Sequence, residues 1–356
     1  MTQAAEPPRT VLVTGFPVDV ARRLARELAA GGERVLLLSR TKFLREAEAF
    51  AVELRRLHET AVIEVIEGDI LELDLGLAGA RIRQLHAEIE EIHHIAAISY
   101  LGISAGRMRS VNVEGLRELL EVALGCSKLR RLCLWSTAFV AGARSGTVYE
   151  DELVLGQSFR NAYEQTKAEA EILARSAMAK LPITVVRPAI VIGDSVTGEV
   201  SRLDGPYPLI QAIAQAREGR TVPLPGRGTF PLHLVPVDYV VRAALYLTRH
   251  PAAEGGTYHL VDEAPLSARQ FFDAVADAAG RPRPSVFLPS GLARAALAIG
   301  GLAGRGRSER TFVEWFDTDV RFDNTKARAL LQPSGLRCPG VPTYIETVVR
   351  AVRERA

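Results

Sequence analysis

What most limits the fold open to this chain is the alternation of short apolar runs with longer stretches of helical period. The runs Val11 to Thr14, Val35 to Leu38, Val62 to Val65, Ile92 to Ile98, Leu132 to Trp135 and Ile183 to Val186 are hydrophobic along their length rather than at every second residue. Such runs belong to strands covered on both faces, as in a parallel sheet. Between them lie amphipathic helices: Val20, Leu24 and Leu28 form one apolar stripe that stops at Gly31-Gly32, and Val113, Leu116, Leu119, Leu120 and Ala123 form another ahead of Gly125. Strand and helix in repetition predict an α/β protein with a Rossmann-type doubly wound parallel sheet.

A chain of 356 residues with 47% hydrophobic content can build that sheet and a smaller unit beside it. Residues 1–200 are expected to form the dinucleotide-binding domain. After Arg187-Pro188, glycine and proline crowd about forty residues, as in loops over an active site. Residues 201–356 are therefore expected to cap the substrate side, with 232–262 returning to the main sheet.

Charge and cysteine content narrow the partners. A net charge of +2 from 44 basic and 42 acidic residues, with no block of one sign, leaves no nucleic-acid footprint and points to a small-molecule substrate. Cys126, Cys133 and Cys338 match no metal-ligand spacing and cannot all pair, so no metal is expected and a reducing cytoplasm fits. The N-terminal MTQAAEPPRT reads as neither signal peptide nor anchor. The apolar stretch Phe287 to Gly304, broken by Pro289, Arg294 and glycines, is too interrupted to span a bilayer. It is expected to pack under the capping region, the sharper alternative being a greasy lid over an acyl chain or a helix touching a membrane surface.

The first strand runs into Thr14-Gly15-Phe16-Pro17-Val18-Asp19, where a Rossmann fold places its pyrophosphate turn and offers helix N-terminal N–H groups to phosphate. The glycine spacing is degraded: Val18 holds the second glycine position. Its β-branched side chain is expected to crowd and stiffen the turn, and Asp19 to bring negative charge near the phosphates. The second strand ends Ser39-Arg40-Thr41-Lys42, where an NAD site would carry an acidic residue. Arg40, with Lys42, can pair with a 2′-phosphate, so NADP(H) is favoured over NAD(H). Gly68-Asp69-Ile70 closes the third strand, placing a carboxylate for an adenine amino group.

Tyr163-Glu-Gln-Thr-Lys167 lies on a helical segment, Asn161 to Lys180, and a spacing of four puts the two side chains on one face. There an ammonium can lower a phenol's pKa from its ordinary ~10 and let it exchange a proton with a substrate oxygen. Trp135-Ser136-Thr137 stands at the C-terminal end of a strand, where open α/β sheets bind ligands.

These segments, with IHHIAA, VNVEG, WSTAFVAG, RPAIVIGDSVTG, VPVDYV and DNTKARALL, resemble the extended short-chain dehydrogenase/reductases, and within them the fatty acyl reductase or thioester reductase branch of male-sterility type. The resemblance covers nearly the whole chain. It implies Tyr163 and Lys167 as the catalytic pair and Thr137 as the catalytic Ser/Thr, with Ser136 the neighbouring alternative. It also implies Asn112 as a support for the lysine through a water, Ala96 and Ala97 as cleft-lining small residues, and Arg187-Pro188 as the loop beside the nicotinamide. The branch normally reads glycine at position 18.

The resemblance favours reduction of an acyl thioester or lipid-derived carbonyl. The thioester would be carried on coenzyme A or on a separate acyl carrier protein, since no carrier domain is read in this chain. Two alternatives are a sugar-nucleotide or sterol-type dehydrogenase or epimerase using the same three residues, and a non-catalytic dinucleotide sensor. Oligomeric state is not legible. His93-His94 is read as core or supporting packing, Asp238 as the cap of a helix beginning at Tyr239, and Asp194, Asp204 and Tyr207 as loop residues near substrate.

Overall fold

The computed structural model describes residues 8–100, 102–217, 219–226, 228–288 and 318–355. Seven strands form the central sheet: β1 (Thr10–Thr14), β2 (Arg34–Ser39), β3 (Val62–Glu67), β4 (Glu91–His94), β5 (Arg131–Trp135), β6 (Ile183–Pro188) and β7 (Thr257–Leu260). Their order is β7-β6-β5-β4-β1-β2-β3, and every neighbouring pair is parallel. The chain winds outward in both directions from β1 and β4, so the C-terminal ends of those two strands open a crevice at the point where the order reverses.

The continuous apolar runs are explained by two cores, one on each face of the sheet. Val11, Val13, Val35 and Leu37 point into one core, while Leu12, Leu36 and Leu38 point into the other, following the two-residue strand period. Helices α1 (Asp19–Ala30) and α2 (Leu44–Leu57) cover the first face, burying Leu24, Leu28, Phe50 and Leu54. Helices α3 (Gly79–Glu88), α4 (Gly115–Gly125) and α5 (Ala162–Ala177) cover the second.

A third core lies beyond the sheet. It joins α6 (Tyr207–Ala214), α8 (Ala268–Ala279) and α9 (Ile345–Glu354) through Ile210, Phe271, Phe272, Val275, Val348 and Val352. Helix α8 is sharply bounded: Ser267 and Gln270 form a reciprocal capping box, and Gly280 ends it at φ +64. Between these parts, α7 (Val237–Arg249) packs on the first face of the sheet with Val240 and Leu247 buried, ahead of β7.

Two expectations change and a third is not reached. β4 ends at His94 rather than Ile98, because the Thr14 hydroxyl accepts the Ile95 and Ala96 N–H groups and draws the chain off the sheet. α7 begins at Val237, and Asp238 is not its cap: its carboxylate reaches out to the backbone N and hydroxyl of Ser195 and to Arg242. The apolar stretch proposed as a lid lies, from 289 to 304, outside the described residues. Among the described residues no helix is long and apolar enough to cross a membrane.

Candidate active site

The crevice begins where β1 stops. Gly15 has φ +97, and a Cβ there would meet Ala96 N at 2.8 Å and Ile95 C at 2.9 Å, so both the turn and the approach of two backbones require glycine. Thr14, though at the crevice, spends its hydroxyl inside the protein, on Ile95 N, Ala96 N and His94 Nδ1. Val18 precedes α1 with φ −67 and ψ 151. That is ordinary extended backbone, so the expected stiffening of an unusual turn does not occur. The Val18 N–H donates to Gly15 O at 3.1 Å. Asp19 does not line the crevice either; its two carboxylate oxygens accept from Ser201 N at 2.9 and 3.1 Å.

The crevice has a volume of about 550 Å³ and is lined by Gly15, Phe16, Pro17 and Val18, by Arg40, Lys42 and Phe43 after β2, by Asp69 and Ile70 after β3, and by Ala96 and Ala97 after β4. Arg202, from the region beyond the sheet, completes the lining. Arg40 and Lys42 are exposed beside the Phe43 ring, 5.5 and 4.6 Å from its centroid. Asp69 uses Oδ1 to accept from Leu71 N in its own turn. A glycine that admits close approach, a small-residue wall and cations without an ion pair among the described residues together fit a nicotinamide dinucleotide.

The face expected to be catalytic is built from β5 and α5. Asn161 caps α5 by accepting from Glu164 N at 3.0 Å, which starts the helix one residue before Tyr163. One turn on, Lys167 is buried and its Nζ donates to Trp135 O, at the end of β5, at 2.6 Å. Thr137 follows in extended backbone and caps a single turn over Ala138–Ala141. Its hydroxyl stands by the Tyr163 phenol and acts to lower the phenol's pKa, and it donates weakly to Pro188 O at 3.5 Å.

Burial sets the ionisation of this face. It pushes the Tyr163 phenol up to about 12, against the lowering influence of Thr137, and pulls the Lys167 ammonium down to about 8, against the attraction of Glu171. His94, at the end of β4, is held neutral to about 3 by burial and by the Lys167 charge.

Residues expected to serve the site divide into two groups. Ser136 turns away from Tyr163 and donates to Glu171 at 2.8 Å, leaving Thr137 as the hydroxyl beside the phenol. Arg187 is fully buried and pairs with Glu171 at 2.6 and 3.0 Å while donating to the carbonyls of Glu150 and Glu152. Its guanidinium is therefore part of the core and is not free for a cofactor; of that loop, Pro188 contributes its carbonyl to Thr137. Asn112 makes no direct hydrogen bond to Lys167 among the described residues. Its amide bonds both backbone groups of Ile98 and the Thr166 hydroxyl, which ties the crevice wall to α5. His93 is occupied by Glu91 and Trp135.

Glu171 escaped the sequence reading, although it stands four residues beyond Lys167 on the same helical face. Burial acts to raise its pKa, but the Arg187 charge and hydrogen bonds outweigh this and hold the carboxyl below the usual carboxylate range. Arg202 also escaped, because nothing local connects it to the turn after β1.

A family model described as male sterility protein matches residues 20–244, more than half of the chain. The chain belongs to this family. Members of the family that it resembles include a nonribosomal peptide synthetase of Aspergillus flavus, 28% identical over 214 residues that make up 57% of this chain and 20% of that protein. A fatty acyl-CoA reductase of Drosophila melanogaster is 27% identical over 211 residues, 51% of this chain and 40% of that protein. The chain thus matches well under half the length of either relative. Among solved structures, the terminal R domain from the myxalamid PKS-NRPS biosynthetic pathway superposes with a TM-score of 0.83 at 27% identity, over 100% of this chain and 92% of that one. UDP-glucuronic acid 4-epimerase from Bacillus cereus, in complex with NAD, shares the fold with a TM-score of 0.71 at 19% identity, over 97% of this chain and 96% of that one. The male-sterility segment is an NAD(P)-dependent oxidoreductase domain of the extended short-chain dehydrogenase/reductase type.

Proposed function

We propose that the chain reduces an acyl thioester, or a carbonyl derived from an acyl chain, with NADPH. The observation that carries this reading is the Thr137 hydroxyl standing by the Tyr163 phenol, with the Lys167 ammonium buried one helical turn away and tied to Trp135 O at the end of β5. The fatty acyl-CoA reductase and the R domain among its relatives support the substrate class, and Arg40 and Lys42 support NADPH over NADH.

Hydride is what a bound nicotinamide supplies here. The rest is done by this chain. A carbonyl oxygen received between the Thr137 and Tyr163 hydroxyls is polarised by two donors, and these strengthen as the oxygen gains negative charge. Tyr163 then passes its proton to that oxygen, and the Lys167 charge stabilises the phenolate left behind. From a thioester this yields a hemithioacetal, which collapses to aldehyde and free thiol as its hydroxyl proton is lost and the carbon–sulfur bond breaks. Reduction of the aldehyde to an alcohol would repeat the same proton transfer.

The thioester would arrive on coenzyme A or on an acyl carrier protein. Incubation with NADPH and a series of acyl-coenzyme A thioesters should release free thiol in an amount equal to aldehyde plus alcohol formed. Oxidation of NADPH without thiol release would refute thioester reduction.

A further inference from the structure

Three cations line the crevice, and none forms an ion pair with a carboxylate among the described residues. Arg40 and Lys42 belong to the end of β2; Arg202 comes from the region beyond the sheet. The contrast with α1 is informative, because Arg22, Arg23 and Arg26 on its exposed face are all paired with Glu or Asp. Arg202 is exposed and makes no hydrogen bond among the described residues; Asp204 is the carboxylate that feels its charge.

Its position is nevertheless held. Ser201 N donates to both carboxylate oxygens of Asp19, the first residue of α1. The strand-to-helix turn and the 201–204 segment are thereby pinned together, and the next residue in the chain faces the crevice. The turn itself has lost part of its anion-binding capacity, since the Val18 N–H is taken by Gly15 O and the second glycine position is filled.

We propose that Arg202 is the phosphate clamp of this site: it supplies from the substrate-capping side the positive charge for the bridging phosphates of the dinucleotide, with Asp19 as its anchor. The clamp rests on the reading of the crevice as a dinucleotide site. It assigns Asp19 a purpose opposite to the repulsion its charge alone suggests, and it makes cofactor binding tighten the capping segment onto the turn.

Dissociation constants for NADPH, NADH and adenosine 2′-phosphate test this, measured by calorimetry on the full chain for wild type, R202A, R202K, R40A and D19A, with thermal melting as a check of folding. Loss of a charged contact to phosphate should weaken NADPH and NADH by the same factor in R202A, about tenfold or more, and leave adenosine 2′-phosphate unchanged. R202K should lie between R202A and wild type, and the effect should shrink at high salt. D19A should weaken both dinucleotides as well, whereas tighter binding would refute the anchor. R40A, in contrast, should weaken NADPH and adenosine 2′-phosphate and spare NADH. Wild-type affinity in R202A, or a loss confined to NADPH, would overturn the clamp while leaving the cofactor reading intact. A folded wild type that binds neither dinucleotide would overturn the cofactor reading and the clamp together.

Discussion

Burial moves the pKa values of Tyr163 and Lys167 in opposite directions. Burial raises the phenol to about 12 and lowers the ammonium to about 8, so each group is biased towards its neutral form. In the reductive direction the phenol must carry its proton and the lysine its charge. Raising the pH through about 8 removes the lysine proton first, and with it the charge that stabilises phenolate. The reduction rate at saturating cofactor should therefore fall above about pH 8, and a pH–rate profile that stays flat to pH 10 would contradict the assignment of Lys167. Replacing Tyr163 by Phe keeps the ring and removes the proton donor. Turnover should drop at least about a hundredfold with dinucleotide affinity and melting temperature nearly unchanged, and wild-type turnover in that variant would remove Tyr163 from the mechanism. At this scale the spacing of four was readable as one helical face, whereas the choice between Ser136 and Thr137 was not. That choice depends on Glu171, which captures Ser136 from across the core.

The elements that carry these residues are locked by buried polar contacts more than by helix propensity. Glu171 on α5 and Arg187 on β6 are both fully buried, and the pair also collects Ser136 and the backbone carbonyls of Glu150 and Glu152. Removing Arg187 leaves the buried Glu171 carboxylate with only Arg175, which is a quarter exposed, to balance it. Arg187→Met is expected to cost about 3–5 kcal/mol of stability, measurable by urea unfolding. If Arg187 instead contacted the nicotinamide, the variant would lose cofactor affinity with little change in unfolding, which is the opposite result. Asn112 works in the same way on a smaller scale, joining the wall after β4 to α5 through Ile98 and Thr166. The family resemblance is what assigned both residues to the site. Only their partners show that they position it.

Across the whole molecule, the doubly wound sheet places the β1 turn, the β2 tip and the segments after β3 and β4 around one crevice, with β5 the strand next to β4 and the third core beyond the sheet. Fold alone does not choose between an acyl and a sugar-nucleotide substrate, as the epimerase that shares it demonstrates. Substrate size does. If the capping region encloses an acyl chain in a dry pocket, kcat/KM should rise with chain length until the pocket is filled, each buried methylene contributing about 0.8 kcal/mol. A flat response across the series, with turnover of a nucleotide sugar instead, would transfer the assignment to the epimerase-like reading.

The alternation of apolar runs and amphipathic helices was enough to determine the sheet, its parallel sense and the face on which Tyr163 and Lys167 meet, because strand and helix periods are local properties of the chain. The partners of individual polar side chains were decided only by tertiary structure. Arg187 and Glu171 are sixteen residues apart, and Asp19 and Ser201 are 182 apart; no local pattern links such residues. Their contacts arise from strand register and helix packing, which bring distant segments to the same few ångströms. Val18 shows the same division: its identity marked the turn as unusual, but its extended backbone and the Asp19–Ser201 contact determine what that turn can bind.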